Sequence, residues 1–381
     1  MQATFQSSSR TPRPRDQRLD FWRGLCLVDM VLVHLYYNNV QFGDFLGRFL
    51  GDYTRFAAGG FIFVSGLSIG VIFWPRAQDD RYRASTYKKL WRRSLFILGV
   101  SYITAMLWIC MEILRGDRGN FVNPLILLRD VFLLREGGDL LPFYTLMIAI
   151  SPLLMQALRK KWGWLAILIC SLSLFTWGLW HPWALAPAEH LRFPPVLWQA
   201  TFILGLLFGY AFPKYNALAA RWKISMAAFS WLVAGVLFVM EYSYLWGMPQ
   251  LAFGTAFTRV PLNTFEGLRY LSIIFAVVTT TDVLWRFIGG TAAAEFVQTL
   301  GRRSLPVYVF HLWVVEAMGA LAVQWNFMGS WQLLFAVFSV LILWLFALIL
   351  DLISEPKTAR QASVPAIPSL FRPEPMAGAA Q

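Results

Sequence analysis

Apolar residues fall along this chain in ten long runs parted by short polar stretches: 21–41, 55–74, 90–114, 142–158, 162–180, 196–213, 224–245, 266–285, 304–323 and 331–353. Runs of about 17 to 25 apolar residues are long enough to cross a hydrocarbon core as helix. Backbone polar groups in lipid must be satisfied within the segment, which favours helices over isolated strands. The pattern therefore predicts an all-α fold, a polytopic membrane helical bundle of about ten transmembrane helices. The runs 142–158 and 162–180 are short and are separated only by RKKW, so fewer helices is the alternative. Between the third and fourth runs, FVNPLILLRDVFLLREGGD is too short and, with Arg129 and Asp130, too charged to span; it reads as an interfacial or re-entrant helix on the outer side. Residues 1–17 and 354–381 lack apolar periodicity and are rich in polar residues, proline and alanine. They read as disordered tails flanking one membrane domain over residues 18–353.

Composition agrees, since 57% of the 381 residues are hydrophobic and only 14% charged, far from a soluble domain of this length. The net charge of +12 raises nucleic acid as a partner, but the distribution points elsewhere. If the N-terminus is cytoplasmic, the inner segments 1–20, 75–93, 159–161, 214–223, 286–303 and 354–381 hold 23 of the 33 Lys and Arg, and Arg23 begins the first run. This is positive-inside bias, so both termini are expected in the cytoplasm and the lipid bilayer is the expected partner. No zinc or RNP-type motif accompanies the basic residues, so no nucleic-acid binding is expected. The first run carries Asp29 and His34 and lacks a small-residue cleavage site, unlike a signal peptide. Cys26, Cys110 and Cys170 lie inside apolar runs without paired spacing and suggest packing rather than disulfides or a metal site.

The chemistry concentrates in RLDFWRGLCLVDMVLVHL, residues 18–35, where ionisable groups stand at membrane depth and so mark a functional site. On a helix Arg23 and His34, 11 residues apart, lie three turns plus about 20° from each other, on one face and roughly 16 Å apart along the axis. Asp20 shares that face and Asp29 does not. An arginine at the rim and an imidazole near the midplane suit a long donor with an anionic head: guanidinium groups bind phosphates, and histidine takes a proton near neutral pH. Lys88, Lys89, Arg92 and Arg93 add basic residues at the inner rim, although such residues also serve as ordinary membrane anchors. In LGRRSLPVYVFHLWVVE, Arg302 and Arg303 stand at the inner edge and His311 near the midplane, with Ser304 and Tyr308 on its face. Ser65 in GGFIFVSGLSIG is a minor substrate-channel candidate; the Gly and Ser spacing there first suggests close helix packing. Glu241 and Asp282 are lone acids in their runs, each a candidate partner for a buried arginine. His181 and His190 have no acidic or cysteine company, so no metal site is expected. Walker A, GxGxxG, HExxH and GxSxG signatures are absent from the chain.

The stretch RLDFWRGLCLVDMVLVH resembles the first helix of membrane acyltransferases of the acyltransferase-3 superfamily, with Arg23 and His34 at the recurring Arg and His positions. GGFIFVSG, YKKLWRR and GRRSLPVYVFH look like further segments of that superfamily. RDQRLDFWRG, DLLPFYTLMIAISPLL and FPPVLWQATFILGLLFG are most similar to the OpgC group of bacterial inner-membrane proteins, associated with succinylation of osmoregulated periplasmic glucans. The chain departs from that group's pattern in having Val33 before the histidine and YYNN after it.

The resemblance implies a multi-pass protein of the bacterial inner membrane, an acyl-CoA donor (succinyl-CoA or acetyl-CoA) on the cytoplasmic side, and a periplasmic glucan or other glycan as acceptor. It implies His34 as catalytic base and Arg23 as a residue that supports the site or binds coenzyme A. The expected catalytic set is then His34, Asp20 and His311. Arg23, Lys88, Lys89, Arg92, Arg93, Arg302 and Arg303 are expected to hold the donor's phosphates, and Arg55 or Arg269 a succinyl carboxylate. The competing expectation is a proton-coupled transporter or flippase in which Asp29, Glu241, His311 and Glu316 relay protons.

Overall fold

The computed structural model describes residues 15–37, 56–114, 140–181, 194–242, 264–325 and 331–354, and every regular element among them is a helix. In chain order these are α1 (Gln17–Tyr37), α2 (Phe56–Ser68), a π-helical turn (Ile69–Phe73), α3 (Trp74–Gln78), α4 (Asp80–Leu114), α5 (Leu140–Leu158), α6 (Gly163–Trp180), α7 (Pro195–Asn216), α8 (Ala220–Tyr242), α9 (Thr264–Ile288), α10 (Ala292–Arg302), α11 (Ser304–Gln324) and α12 (Trp331–Ser354). Within the described residues each of the ten apolar runs lies on helix. Among the described residues nine stretches of helix are long and apolar enough to cross a membrane. To these α1 adds 21 residues, about 31 Å, interrupted by Arg18, Asp20, Arg23 and Asp29. The protein is a polytopic helical bundle.

Burial separates the centre from the rim. The apolar window of the continuous helix Phe56–Gln78 is 78% buried, whereas that of Ala220–Glu241 is 11% buried and turns its leucines and aromatics outward, as a lipid-facing helix does. The central helix is seated by glycines. A Cβ on Gly66 falls 2.1 Å from the Phe202 carbonyl oxygen, and one on Gly205 falls 2.1 Å from the Phe63 carbonyl oxygen. Gly70 and Gly209 repeat the arrangement one turn on, so two GxxxG segments face each other and bring the α2 and α7 backbones into contact. α1 is pinned in the same way against α10: a Cβ on Gly24 meets the Val297 carbonyl at 1.9 Å, and one on Gly301 meets the Asp20 carbonyl at 1.7 Å.

Three local features depart from the pattern read in the sequence or settle an alternative in it. α5 and α6 are separate helices, because the chain reverses over Arg159–Trp162 and Gly163 fits where a side chain strikes the Ala157 carbonyl at 1.7 Å. α4 starts at Asp80, ten residues before the apolar run, capped by the Asp79 carboxylate accepting from the Arg81 amide at 3.0 Å. Its 35 residues extend about 52 Å, more than a bilayer core, so its first turns stand outside. The segment 286–303, expected as a connection, contains α10, whose start is capped by the Thr291 hydroxyl accepting from the Ala294 amide.

Asp20 in the first turn of α1 packs on Gly301, and Arg302 and Arg303 bond Asp351 near the end of α12, so the chain enters and leaves the bundle at one face. The segment 121–139, the terminal residues 1–14 and 355–381, Arg55 and His190 lie outside the described residues.

Candidate active site

At the face where the chain enters, α1 carries Asp20 at 3% exposure. Its carboxylate accepts from Arg15 at 2.6 and 2.8 Å and from Arg23 at 3.3 Å. The other terminal nitrogen of Arg23 donates to the Ser68 hydroxyl at 2.5 Å, and that hydroxyl donates in turn to the Val64 carbonyl at 2.6 Å. Asp20 and Ser68 thus fix the guanidinium from two sides. Ser68 ends α2, and the π turn that follows inserts an extra residue and aims Ile69, Ile72 and Phe73 into the same space, a device frequent at functional sites.

That space is a cavity lined by Arg23 and Arg93, by the hydroxyls of Ser65, Ser68, Tyr144, Ser304 and Tyr308, and by apolar groups including Phe61, Ile97, Leu141 and Ile148. Its volume of about 50 Å³ holds a few water molecules, so it admits a slender chain and no nucleotide. Arg93 reaches it from α4, whose buried stripe of Leu90, Ser94, Ile97 and Ser101 has helical spacing; the Ser94 hydroxyl donates to the Thr145 carbonyl of α5 at 2.7 Å. Among the described residues no carboxylate pairs with Arg93. With Asp20 shared between Arg15 and Arg23, the cavity keeps a positive surplus and is suited to an anion.

The deep end of the cavity is aromatic. Phe61 packs against Tyr144 (5.7 Å between centroids) and Tyr308 (5.9 Å), and the Tyr308 ring lies 5.0 Å from His311. His311 is fully buried; its Nδ1 bonds the Tyr308 carbonyl and its Nε2 lies 3.1 Å from Nδ1 of His34. The two imidazole rings are 10° from parallel with centroids 5.1 Å apart. Because the nitrogens approach far more closely than the centroids, the rings meet edge to edge, the geometry of a hydrogen bond rather than a face stack. His34 is partly exposed where His311 is closed off. Neither histidine lines the cavity; Tyr308 both lines it and contacts His311. Among the described residues no third His, Cys or carboxylate joins the two rings as a possible metal ligand.

The remaining candidates divide clearly. Ser65 lines the cavity, and so do Ser304 and Tyr308, which the helical spacing placed on the face of His311. Lys88, Lys89 and Arg92 lie outside the lining, and of that basic group only Arg93, exposed like the others, joins Arg23 there. Arg302 and Arg303 do not join it either. Arg302 bonds Glu295 at 2.9 Å and Asp351 at 3.2 Å, and Arg303 bonds Asp351 at 2.6 Å. Burial disfavours the charge on Arg302, but the carboxylates of Glu295 and Asp351 outweigh it and hold the proton above the usual guanidinium range. These cations clamp α10, α11 and α12 together. Arg269, at 1% exposure, lies between Glu241 and Glu266 (2.8 Å), so its charge is already taken by two acids rather than offered to a substrate carboxylate. Asp282 binds Arg18 of α1 and, at 2.9 Å, Lys223 of α8, as a buried-ion partner. His181 stacks on Trp177 at 5.1 Å, and all three cysteines are free. Arg15, Ser68, Phe61 and Tyr144 were missed from the sequence. Only the hydroxyl of Ser68, one turn after Ser65, offered a signal there.

A comparison with curated proteins finds no match. A model of one protein family, described as OpgC protein, matches residues 15–355, a stretch that takes in α1 with Asp20, Arg23 and His34, the π turn, Arg93 and His311. The chain, matched over nearly its whole length, belongs to the OpgC protein family.

Proposed function

We propose that the protein is a membrane O-acyltransferase that moves an acyl group, succinyl by the family resemblance, from coenzyme A to a hydroxyl of a periplasmic glucan. The observation that carries this reading is the pairing on α1 of a partly exposed imidazole, bonded to a buried second imidazole, with an arginine three turns away in a cavity of positive surplus. The donor's nucleotide stays outside the cavity with its phosphates on the exposed Arg93, backed by the charge of Arg23, and Lys88, Lys89 and Arg92 draw the anion toward the mouth. Its slender arm enters between Ser65, Ser68 and the apolar wall, and passes the Phe61–Tyr144–Tyr308 group toward His34. His34 takes the proton of the acceptor hydroxyl as the oxygen attacks the thioester carbonyl. The C–O bond forms, the C–S bond breaks, and the imidazolium returns its proton to the departing thiolate. Asp20 acts by holding Arg23. Positive-inside bias supports a donor face on the cytoplasmic side, and the family resemblance a bacterial inner membrane.

The test is transfer of radiolabelled succinyl- or acetyl-CoA to a periplasmic glucan by the purified protein. General-base catalysis contributes about 10²- to 10⁴-fold, and His34→Ala is expected to lose at least the lower figure. Transfer at the wild-type rate in that variant removes His34 from the reaction. No transfer from any acyl-CoA, together with proton-coupled uptake of a glycan, replaces this reading with a transporter.

A further inference from the structure

We infer that His311 is a positioning residue that fixes the tautomer of His34, placing the proton on Nδ1 and the lone pair on Nε2. The inference deepens the proposed function, since it says which nitrogen of the base faces the acceptor, and it stands on bonding geometry alone. The His311 Nδ1 contacts the main-chain carbonyl of Tyr308, one turn back. A carbonyl oxygen only accepts, so this nitrogen carries the proton. The His311 ring has no exposed surface, and among the described residues its polar partners are that carbonyl and the His34 ring, with no carboxylate. A second proton there leaves a buried cation without a counter-charge, at high cost. His311 is therefore neutral, and its Nε2 is an acceptor.

That acceptor lies 3.1 Å from Nδ1 of His34, in rings only 10° from parallel. The bond forms only if Nδ1 of His34 is protonated, which leaves Nε2 as the basic atom of the partly exposed ring. Fixing a tautomer through the other ring nitrogen is what the aspartate of a serine-protease triad does, here done by a neutral imidazole backed by a main-chain carbonyl. When Nε2 receives the hydroxyl proton, His34 becomes an imidazolium and keeps its Nδ1–H bond to His311. No proton has to move between the rings, and His311 touches no reacting atom.

Full-length protein labelled with ¹⁵N-histidine in lipid bilayers gives a readout independent of activity: solid-state NMR distinguishes the two tautomers, and the His34 signals are identified by their loss in His34→Asn. The expected result is Nδ1–H at His34 in the wild type and a shift of population to Nε2–H in His311→Phe. A wild-type His34 protonated on Nε2, or a tautomer unmoved by His311→Phe, overturns the inference. In kinetics, His311→Phe is expected to lower kcat by about 10²-fold or more with the donor KM within about twofold, as loss of a tautomer-fixing partner does. His311→Gln returns an amide oxygen to the position of Nε2 and is expected to recover at least about tenfold of that loss. Wild-type kcat in His311→Phe, or no recovery in His311→Gln, also overturns it. Full activity in His34→Ala sinks the proposed reaction instead and leaves the NMR result standing, so the two failures are distinguishable.

Discussion

Arg93 and Arg302 are the same residue type at the same membrane face, yet their surroundings give them different work. Arg302 already bonds Glu295 and Asp351, whereas Arg93 has no carboxylate partner among the described residues and looks into the cavity beside Arg23. Hydrogen bonds to charged groups contribute about 1.5–3 kcal/mol. Arg93→Gln is therefore expected to raise the donor KM by roughly 10- to 100-fold with little change in kcat, the signature of lost ground-state binding. Arg302→Gln is expected to leave the donor KM alone and to lower thermal stability. Steady-state kinetics with varied donor, beside a melting curve in detergent, separates the two. A donor KM unchanged in Arg93→Gln removes that residue from the binding site.

Among the elements, the contact of α2 with α7 carries the cavity, because Ser65, Ser68 and the π turn all belong to the continuous helix that α7 supports. It depends on four glycines for backbone approach. Overpacking a filled core costs about 1–3 kcal/mol, and the approach is to main chain, which yields less than a side chain does. Gly205→Ala is expected to lower the melting temperature clearly, as is Gly66→Ala. Gly99→Ala and Gly235→Ala, where an added Cβ meets nothing within 4 Å, are expected to be neutral or to stabilise by up to about 1 kcal/mol, as helix propensity dictates. Equal melting shifts in both pairs contradict the packing described. The spacing in GGFIFVSGLSIG announced a close helix approach, but its partner segment, Gly205 to Gly209, lies 139 residues on in Gly66's case. No local pattern joins the two.

For the whole molecule, the enclosed ion pairs and the orientation are decided together. Arg269 neutralises acids from two helices, so Arg269→Met removes the buried cation that Glu241 and Glu266 share. Breaking a buried pair costs about 3–5 kcal/mol, and replacing the entire group by neutral residues of like size restores most of it. Arg269→Met is expected to be poorly folded, and adding Glu241→Gln and Glu266→Gln to recover a monodisperse protein by size exclusion. Orientation has its own check. In a background lacking Cys26, Cys110 and Cys170, Ala219→Cys and Gly290→Cys lie in exposed turns of the face where the chain enters. Both are expected to react with an impermeant maleimide only once the cytoplasmic side is opened; labelling from the periplasm of intact cells reverses the proposed direction of transfer.

Length and hydropathy add up residue by residue, so the sequence by itself determined the ten helices, the basic bias of one face, and the shared side of Asp20, Arg23 and His34 on a single helix. It also limited the cations able to meet an anion to a short set without ranking them. Ranking depends on helix rotation and on partners remote in the chain: 277 residues separate His34 from His311, and 49 separate Arg302 from Asp351. Only the packed bundle decided that Arg93 has no carboxylate partner among the described residues while Arg269, Arg302 and Arg303 do, and that the cavity is lined by Tyr308 rather than by the histidines. Only it put one imidazole edge-on to the other. The physical reason is that a hydrogen bond or an ion pair needs its partner within about 3 Å, and which partner arrives there is a property of the assembled helices.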